Sequence, residues 1–178
     1  MYKIFLKHNR PWSIIEVIIF VILFSIVTLI LGIKVKKKKL LISQAIAVEI
    51  LFIFMAIVLA STVFTRTPNN TREYCLIPFW SWWKMLLGNK ELLKEILPNI
   101  VLLVPEGFLL PFVFHKKVFK RNAFVISFFI SMFIEICQLI FCVGFFEWDD
   151  MLHNATGATI ACVLANKIFE KLVCSGYI

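Results

Sequence analysis

Long apolar stretches separated by short polar segments form the main pattern of this chain. They comprise residues 12–33, 40–64, 99–114, 123–143 and 151–173. A helix needs about 20 apolar residues to cross the hydrocarbon core of a bilayer, and these stretches approach or exceed that length. The pattern predicts an all-α fold, a polytopic membrane helix bundle with about five transmembrane helices. It places residues 1–178 in a single membrane domain and leaves no room for a separate soluble domain.

The segment before the third apolar stretch, "REYCLIPFWSWWKMLLGNKELLKEIL", has a different pattern. It holds Trp80, Trp82 and Trp83, and tryptophan prefers the headgroup zone of a membrane. Further along, apolar and charged residues fall on opposite faces of a helix: Leu92, Leu93, Ile96 and Leu97 against Glu91, Lys94 and Glu95. We expect this segment to lie along the outer membrane face, either as a simple anchor or in direct contact with lipid or ligand.

Composition agrees with a membrane protein and narrows its partners. The chain is 61% hydrophobic, its mean hydropathy is +0.89, and its formal net charge is +8. A basic membrane protein usually owes its charge to cytoplasmic loops. No basic face alternates with exposed aromatic residues, as single-strand binding would require, so we expect no nucleic-acid partner.

The distribution of cations predicts the orientation in the membrane. Three regions fall on one side if there are five spans, and their cations are Lys34, Lys36, Lys37, Lys38, Lys39, Lys116, Lys117, Lys120, Arg121, Lys167 and Lys171. The other side receives the N-terminus, the long segment 65–98 and a loop with three acids and no cation. The positive-inside rule therefore predicts an external N-terminus and a cytoplasmic C-terminus in a bacterial cell membrane.

Four ionisable residues lie within the apolar stretches, and each is a candidate site because charge is costly in a membrane. They are Glu16, Glu49, Glu106 and Glu135. If the third helix begins at Asn99, Glu106 is about 10 Å inside the membrane, and Glu135 is about 12 Å from the same surface. We therefore expect these two glutamates at similar depths, near Asp150 and Asn154 at the start of the last helix.

Helical spacing predicts that these polar groups face one another. Polar positions on the fourth helix recur at spacings of three and four, at Ser127, Ser131, Glu135, Gln138 and Cys142. The last helix has a second stripe, polar above and small below, of Asp150, His153, Asn154, Gly157, Ala158, Ala161 and Ala165. Small residues permit close packing of membrane helices.

The third helix contains a break signal, "VPEGFLLP". Pro105 removes a backbone donor, Gly107 permits unusual backbone angles, and Pro111 repeats the disturbance. A discontinuous helix beside Glu106 could frame a small polar pocket. The alternative is a proline-kinked helix with a neutral, hydrogen-bonded Glu106.

An ordered set of motifs resembles the VanZ-like family of bacterial membrane proteins. The elements are "RTPNN", "LIPFWSW", "N...VPEGFLLP", "E..Q" and "DD...N..G", which run from Arg66 to Gly157 within a core of about residues 66–173. The resemblance implies a role at the cell envelope, the family's prototype lowering susceptibility to teicoplanin-type lipoglycopeptides. It implies no particular reaction.

The chain departs from that pattern at three places. Many members carry an Arg where this chain has the region of Gly144 and Phe145, and an Asp where it has Glu147. Glu106 stands where a small or apolar residue is often found. A role that needs a cation beside the acids would therefore depend on Arg66 or Arg72.

Three functions are compatible with these residues. The first is binding of membrane lipid, a lipid-linked cell-wall component or a lipoglycopeptide antibiotic in an outer-leaflet pocket. We expect the ligand-binding residues to be Arg66, Arg72, Asn99, Glu106, Glu135, Gln138, Asp149, Asp150 and Asn154. The second is an enzyme acting on a lipid-linked or phosphate-bearing substrate.

In the enzyme, Glu135, Asp150 and His153 would serve as acid, base or ligands of a divalent cation. No HExxH, nucleophile elbow or phosphate loop supports it, and we expect no cofactor or resident metal. His153 is also interpretable as a capping or surface residue, and Asp149 and Asp150 as helix caps. The third function is transport through an acidic relay that includes Glu49.

Overall fold

The computed structural model describes residues 9–69, 71–88 and 93–175. The elements are α1 (Ile14–Lys36), α2 (Ile42–Leu59), a π-helical turn (Ala60–Phe64), β1 (Glu73–Cys75), α3 (Trp80–Leu86), α4 (Leu93–Leu102), α5 (Val104–Phe114), α6 (Lys120–Phe141), β2 (Phe145–Glu147) and α7 (Trp148–Cys174). The strands β1 and β2 are three residues long and pair with each other. The prediction of an all-α membrane bundle is confirmed.

Four segments in the described part of the chain are long and apolar enough to cross a membrane. They are Ile14–Lys36, Ile42–Phe64, Leu93–Phe114 and Lys120–Phe141, and they correspond to the first four predicted stretches. The fifth stretch forms α7, a helix of 27 residues that is less apolar. Its length of about 40 Å would suffice to span the membrane, and its crossing stays a prediction.

The bundle has two chemically different ends. The end at which α1 begins and α6 terminates carries Trp12, Trp80, Trp82, Trp83 and Trp148, and we call it the tryptophan end. The opposite end holds the loops 37–41 and 115–119 and the C-terminal part of α7, and we call it the lysine end. There the Asn166 carboxamide accepts a hydrogen bond from the Val118 N–H and donates one to the Val118 carbonyl oxygen. Lys117 forms an ion pair with Glu170 at 2.8 Å. Because α7 starts at the tryptophan end, it runs the full length of the bundle.

The helix α7 lies at the centre of the bundle, against α4, α5 and α6. A Cβ atom added to Gly107 would lie 2.0 Å from the Ala158 carbonyl oxygen, and one added to Gly157 would lie 1.8 Å from that of Ile100. Ala161 and Ala165 are also buried. The predicted close packing along the small-residue stripe is confirmed, because only glycine leaves room for these backbones to touch.

The third membrane helix differs from the prediction in its start and in the position of its break. It begins at Leu93 rather than Asn99, because Pro98 is accommodated inside α4. The break falls at Leu103, and Pro105 occupies the first turn of α5, where a missing N–H costs little. Gly107 has no left-handed backbone angle. Its function is close contact with α7 rather than the unusual angles that the sequence suggested.

The segment rich in tryptophan is divided rather than one long interfacial helix. Its first part forms β1 and the short helix α3, on which Trp83 is 62% exposed. Residues from Leu93 onward belong to the third span, and Ile96 is buried in the core, so the interfacial prediction is wrong for that part. The predicted positions Glu91 and Leu92 lie outside the described residues.

The helix α1 is the most peripheral part of the bundle. Only 6% of its apolar window is buried, and its main aromatic contact with α2 is Phe20 stacked on Phe52 at 6.1 Å. At its start, Ser13 and Glu16 form a capping box, and Arg10 binds the Glu16 carboxylate with two hydrogen bonds of 2.9 and 2.5 Å. Glu16 therefore has a structural role and lies apart from the other candidate acids.

Candidate functional site

Two sequence-distant segments are joined at the tryptophan end by a parallel strand pair. The register of β1 and β2 places Glu73 beside Phe145 and Cys75 beside Glu147. A backbone bridge also joins Asn9 to Arg66. These contacts bring the segment after α2 and the start of α7 to one place, although neither strand is long enough to be recognised in the sequence.

Asp149 holds α3 on the bundle. Its carboxylate accepts hydrogen bonds from the backbone N–H groups of Phe79 at 2.5 Å and Ser81 at 2.8 Å, and from the Ser81 hydroxyl. These donors are orphan groups at the start of a helix, which an acid satisfies well. Asp149 is 3% exposed. It is therefore a cap, as one of the two interpretations held, but for α3 rather than for its own helix.

Four polar side chains and one backbone amide assemble into a group that we call the cleft cluster: Arg66, Asn99, Glu135, Glu147 and Asp150. The Asn99 carboxamide donates to the Asp150 carboxylate. The Glu135 carboxylate accepts from the backbone N–H of Glu147 at 3.2 Å. The predicted convergence of Asn99, Glu135 and Asp150 at one end of the bundle is therefore present in the structure.

Arg66 supplies the cation of the cleft cluster. Burial lowers the pKa of its guanidinium below the usual value, and the nearby carboxylates of Glu135 and Asp150 act in the opposite direction. Its Nη1 atom lies 3.3 Å from where a Cβ atom on Gly144 would stand. The guanidinium thus occupies the space beside the position at which many family members carry their arginine, whereas Arg72 is exposed.

Glu147 adds an acid that is partly shielded from solvent. Burial raises the pKa of its carboxyl, and the negative charges of Glu95 and Asp149 raise it further. Glu147 was noted in the sequence only as a departure from the family pattern. Its inclusion in the cluster follows from the β1–β2 pairing.

An open cleft of about 1110 Å³ lies beside the cleft cluster. It is lined by Asn9, Arg66, Thr67, Asn69, Glu73, Leu93, Lys94, Glu95, Leu97, Pro98, Val143, Gly144 and Phe145. Leu93, Leu97 and Phe145 give it an apolar wall, and their side chains are 40–56% exposed. Glu73, Lys94 and Glu95 were not predicted as site residues, because only the fold brings β1 and the start of α4 together.

Glu106 lies much deeper than the cleft cluster. Its carboxylate accepts from the Ser127 hydroxyl at 2.7 Å, and the Asn154 carboxamide donates to the Ser131 hydroxyl at 2.7 Å. We call Glu106, Ser127, Ser131 and Asn154 the inner layer. Ser127 is eight residues from Glu135 on α6, which corresponds to about 12 Å. The expectation that Glu106 and Glu135 share one depth is wrong, because the third helix begins six residues earlier than predicted.

The inner layer is closed and incompletely hydrogen-bonded. All its members are at most 1% exposed, and Glu106 Oε1 and Asn154 Oδ1 have no partner among the described residues. Apolar residues pack on both sides: the cluster with Leu103 and Ile134, and the cluster with Leu110 and Cys162. Glu106 and Asn154 are therefore separated from the cleft, contrary to their assignment to one pocket.

Gln138 and His153 are also enclosed. Gln138 donates to the Thr62 carbonyl oxygen at 3.2 Å and so ties α6 to the π-helical turn. His153 is 3% exposed beneath Trp82, at a ring-centroid distance of 5.6 Å, and neither ring nitrogen has a hydrogen-bond partner in the described residues. His153 is neither a surface residue nor a partner of Glu135 in a hydrogen bond that the structure shows.

The described residues do not assemble into a metal site or into the acidic transport relay considered for Glu49. Among them, no group of three or more His, Cys, Asp or Glu side chains is placed to hold a metal ion. Glu49 is half-buried on α2 and has no hydrogen bond to another described residue. Of the nine predicted ligand-binding residues, Arg66 lines the cleft, and Asn99, Glu135 and Asp150 belong to the cleft cluster without lining the cleft.

A family model described as VanZ/LLP1 matches residues 44–170, which is well over half of the chain. The chain belongs to the VanZ/LLP1 family. Searches of curated proteins and of solved structures found no significant match. The matched region of this VanZ-like protein begins within α2 and includes the cleft cluster and the inner layer.

Proposed function

We propose that this VanZ-like membrane protein binds an amphiphile with a sugar-rich head and an acyl chain in the cleft at the tryptophan end. In this way it lowers susceptibility to teicoplanin-type lipoglycopeptides. The amphiphile is the antibiotic itself or a lipid-linked cell-wall component, since both combine a glycosylated head with a lipid tail. The observation that carries the proposal is the cleft in which Arg66 lies beside an exposed apolar wall.

The charges of the cleft favour a head with hydroxyl and amide groups over a bare phosphate. Its lining carries two cations, Arg66 and Lys94, and two acids, Glu73 and Glu95. Behind Arg66 stand the additional acids Glu135 and Asp150. A site with this balance would not attract a phosphate strongly, but carboxylates, carboxamides and a guanidinium together can bind several hydroxyl groups.

The apolar wall suits an acyl chain. Leu93, Leu97 and Phe145 lie at the same end as all five tryptophans, which prefer the membrane interface. Burying exposed apolar surface is worth about 25 cal/mol per Å², so a tail along this wall would add affinity that a glycopeptide without an acyl chain lacks.

The cation distribution supports an external cleft. Eleven of the 19 Lys and Arg residues belong to the lysine end, which the positive-inside rule assigns to the cytoplasm. The tryptophan end would then face outward, where both candidate ligands are found. A cysteine placed at Arg72 in a cysteine-free variant should react with an impermeant thiol reagent added to intact cells.

Binding can be tested with the antibiotic and with purified protein. We expect Arg66→Ala to lose most of the protection against teicoplanin and most of its binding, measured by intrinsic tryptophan fluorescence. Arg72→Ala is the matched control, because it removes the same side chain from an exposed position outside the cleft lining. A glycopeptide lacking the acyl chain should bind more weakly than teicoplanin.

The same samples distinguish binding from catalysis. Asp150→Asn should weaken binding. No product should form with either the wild type or this variant, because the proposed function includes no reaction. Release of phosphate or lipid from a lipid-linked substrate, abolished in Asp150→Asn, would instead establish the enzymatic alternative. Equal protection by wild type and Arg66→Ala would contradict the proposal.

A further inference from the structure

A second groove lies at the lysine end, far from the cleft. Its volume is about 440 Å³, and it is lined by Phe114, Lys116, Lys117, Val118, Phe119, Asn122, Val125 and Ile126. The groove therefore combines a polar rim from the α5–α6 loop with an apolar floor from the first turns of α6.

The rim of the groove is cationic. Lys116 and Lys117 line it, and Lys120 and Arg121 follow directly on α6. Lys117 is paired with Glu170, whereas Lys116 is exposed and has no ion-pair partner among the residues that the structure describes. No acidic residue belongs to the lining. The groove therefore has a net positive charge that an anion would complement.

The apolar side chains at the floor of the groove are exposed. Phe119 is 70% exposed, and Phe114 and Val125 are each 45% exposed. Aromatic and branched apolar side chains beside lysines at a bundle end suit the boundary between headgroups and acyl chains. Phe119 and Val125 offer an acyl chain a contact surface there.

The backbone at the groove adds to its attraction for an anion. The helix α6 begins after Phe119, which provides no side-chain cap, so its first N–H groups lack such a partner. These groups carry the positive end of the helix dipole. This contribution accompanies the lysines and would be weak without them.

We propose that the groove formed by the α5–α6 loop and the first turns of α6 binds an anionic phospholipid of the bilayer. Its phosphate lies at Lys116 and Lys117, the two lysines of the lining, and an acyl chain lies along Phe119 and Val125. Basic pockets beside membrane helices are a known type of site for acidic lipid head groups. The inference does not depend on the proposed function, because it concerns the opposite end of the molecule.

The α1–α2 loop provides a matched comparison. It carries Lys36, Lys37, Lys38 and Lys39 in succession but has no aromatic residue among them. A general attraction of lysines for an acidic membrane would act on both loops equally. A defined lipid site would depend on Lys116 and Lys117 much more than on Lys38 and Lys39.

The test uses the full-length protein in nanodiscs of phosphatidylcholine, titrated with phosphatidylglycerol and followed by native mass spectrometry. Lys116→Ala with Lys117→Ala should weaken phosphatidylglycerol binding about tenfold. Lys38→Ala with Lys39→Ala removes the same charge and should change it less than twofold. Inorganic phosphate at the same concentration should not displace the lipid, because it lacks the acyl chain.

A third variant separates the apolar contact from charge. Phe119→Ser leaves every cation in place and should weaken phosphatidylglycerol binding several-fold. Melting curves in detergent establish that each variant is folded before binding is measured. Equal losses in the two lysine pairs, or no loss in either, would overturn the proposal. Teicoplanin binding should be unchanged in all of these variants, so this result is independent of the cleft at the other end.

Discussion

The cleft cluster and the inner layer use similar side chains in opposite surroundings. Each contains a glutamate of a membrane helix and an asparagine. The cleft cluster adds a guanidinium and adjoins an open cleft of about 1110 Å³, whereas the inner layer is at most 1% exposed and its glutamate has a serine as its partner. The difference shows that similar polar side chains of membrane helices can be enclosed in the bundle at one depth and adjoin an open cleft at another.

The largest effect on folding is expected at the close helix contact beside the inner layer. Gly157→Val should prevent correct folding, since its Cβ would stand 1.8 Å from the Ile100 carbonyl oxygen. Overpacking a core commonly costs about 1–3 kcal/mol and more when backbone must move, as here. The fraction of purified protein that elutes in the wild-type peak during size-exclusion chromatography measures this loss of correct folding. Gly32→Val is the control, because no atom lies within 4 Å of an added Cβ there.

A smaller effect separates the volume of Glu106 from its charge. Glu106→Ala leaves a cavity and removes the acceptor of the Ser127 hydroxyl, which should cost about 2–4 kcal/mol. Glu106→Gln keeps the volume and an acceptor oxygen and avoids any buried charge, so it should be as stable as the wild type or more stable. Denaturation curves in mixed detergent compare the two. Equal destabilisation by both substitutions would mean that the carboxylate itself is required.

Asp149→Ala should detach α3 without unfolding the bundle. The backbone N–H groups of Phe79 and Ser81 would lose their acceptor, and loss of a helix cap costs about 1–2 kcal/mol. Hydrogen exchange should increase between β1 and the end of α3 and remain slow in α6. Asp150→Ala provides the comparison, because the neighbouring carboxylate accepts from Asn99 rather than from α3.

The smallest effect on stability is expected at the cleft, where binding should change most. Arg66→Ser should alter the free energy of unfolding by less than about 1 kcal/mol, because the lost attraction to Glu135 and Asp150 is offset by relief of the desolvation of the guanidinium. It should nevertheless abolish most teicoplanin binding. Adding Gly144→Arg to that variant should restore part of it, because its Cβ atom lies 3.3 Å from the position that the Arg66 Nη1 atom leaves vacant; the Gln138 Oε1 atom, 3.0 Å from that Cβ, must move aside. Failure of this second substitution to restore binding in a folded protein would show that Arg66 acts through its own position.

The sequence predicts the helices well because their signals are local. Apolar length identifies four spans, and the recurrence of Ser127, Ser131 and Glu135 at intervals of four identifies one face of α6. The structure shows all three residues buried on that face. The stripe of small residues in α7 likewise predicts close helix packing, and the structure identifies α4 and α5 as the partners. These features depend on helical geometry, which periodicity encodes directly.

The predicted site is less accurate because depth depends on where each helix begins. Pro98 indicates a boundary in the sequence, yet α4 continues through it, and this shifts Glu106 away from Glu135. Proline is tolerated in membrane helices when neighbouring groups compensate. The roles of Asp149 and Glu147 depend on β1, β2 and α3, which are elements of three to seven residues without a distinctive pattern.

The backbone bridge between Asn9 and Arg66 links the outermost helix to the cleft. Asn9 lies a few residues ahead of α1, which is attached to the bundle over a small area and otherwise exposes apolar side chains. A bilayer that becomes thinner changes the tilt of such a helix and, through this bridge, displaces the backbone that carries the guanidinium. Ligand affinity should therefore vary with acyl-chain length in reconstituted membranes.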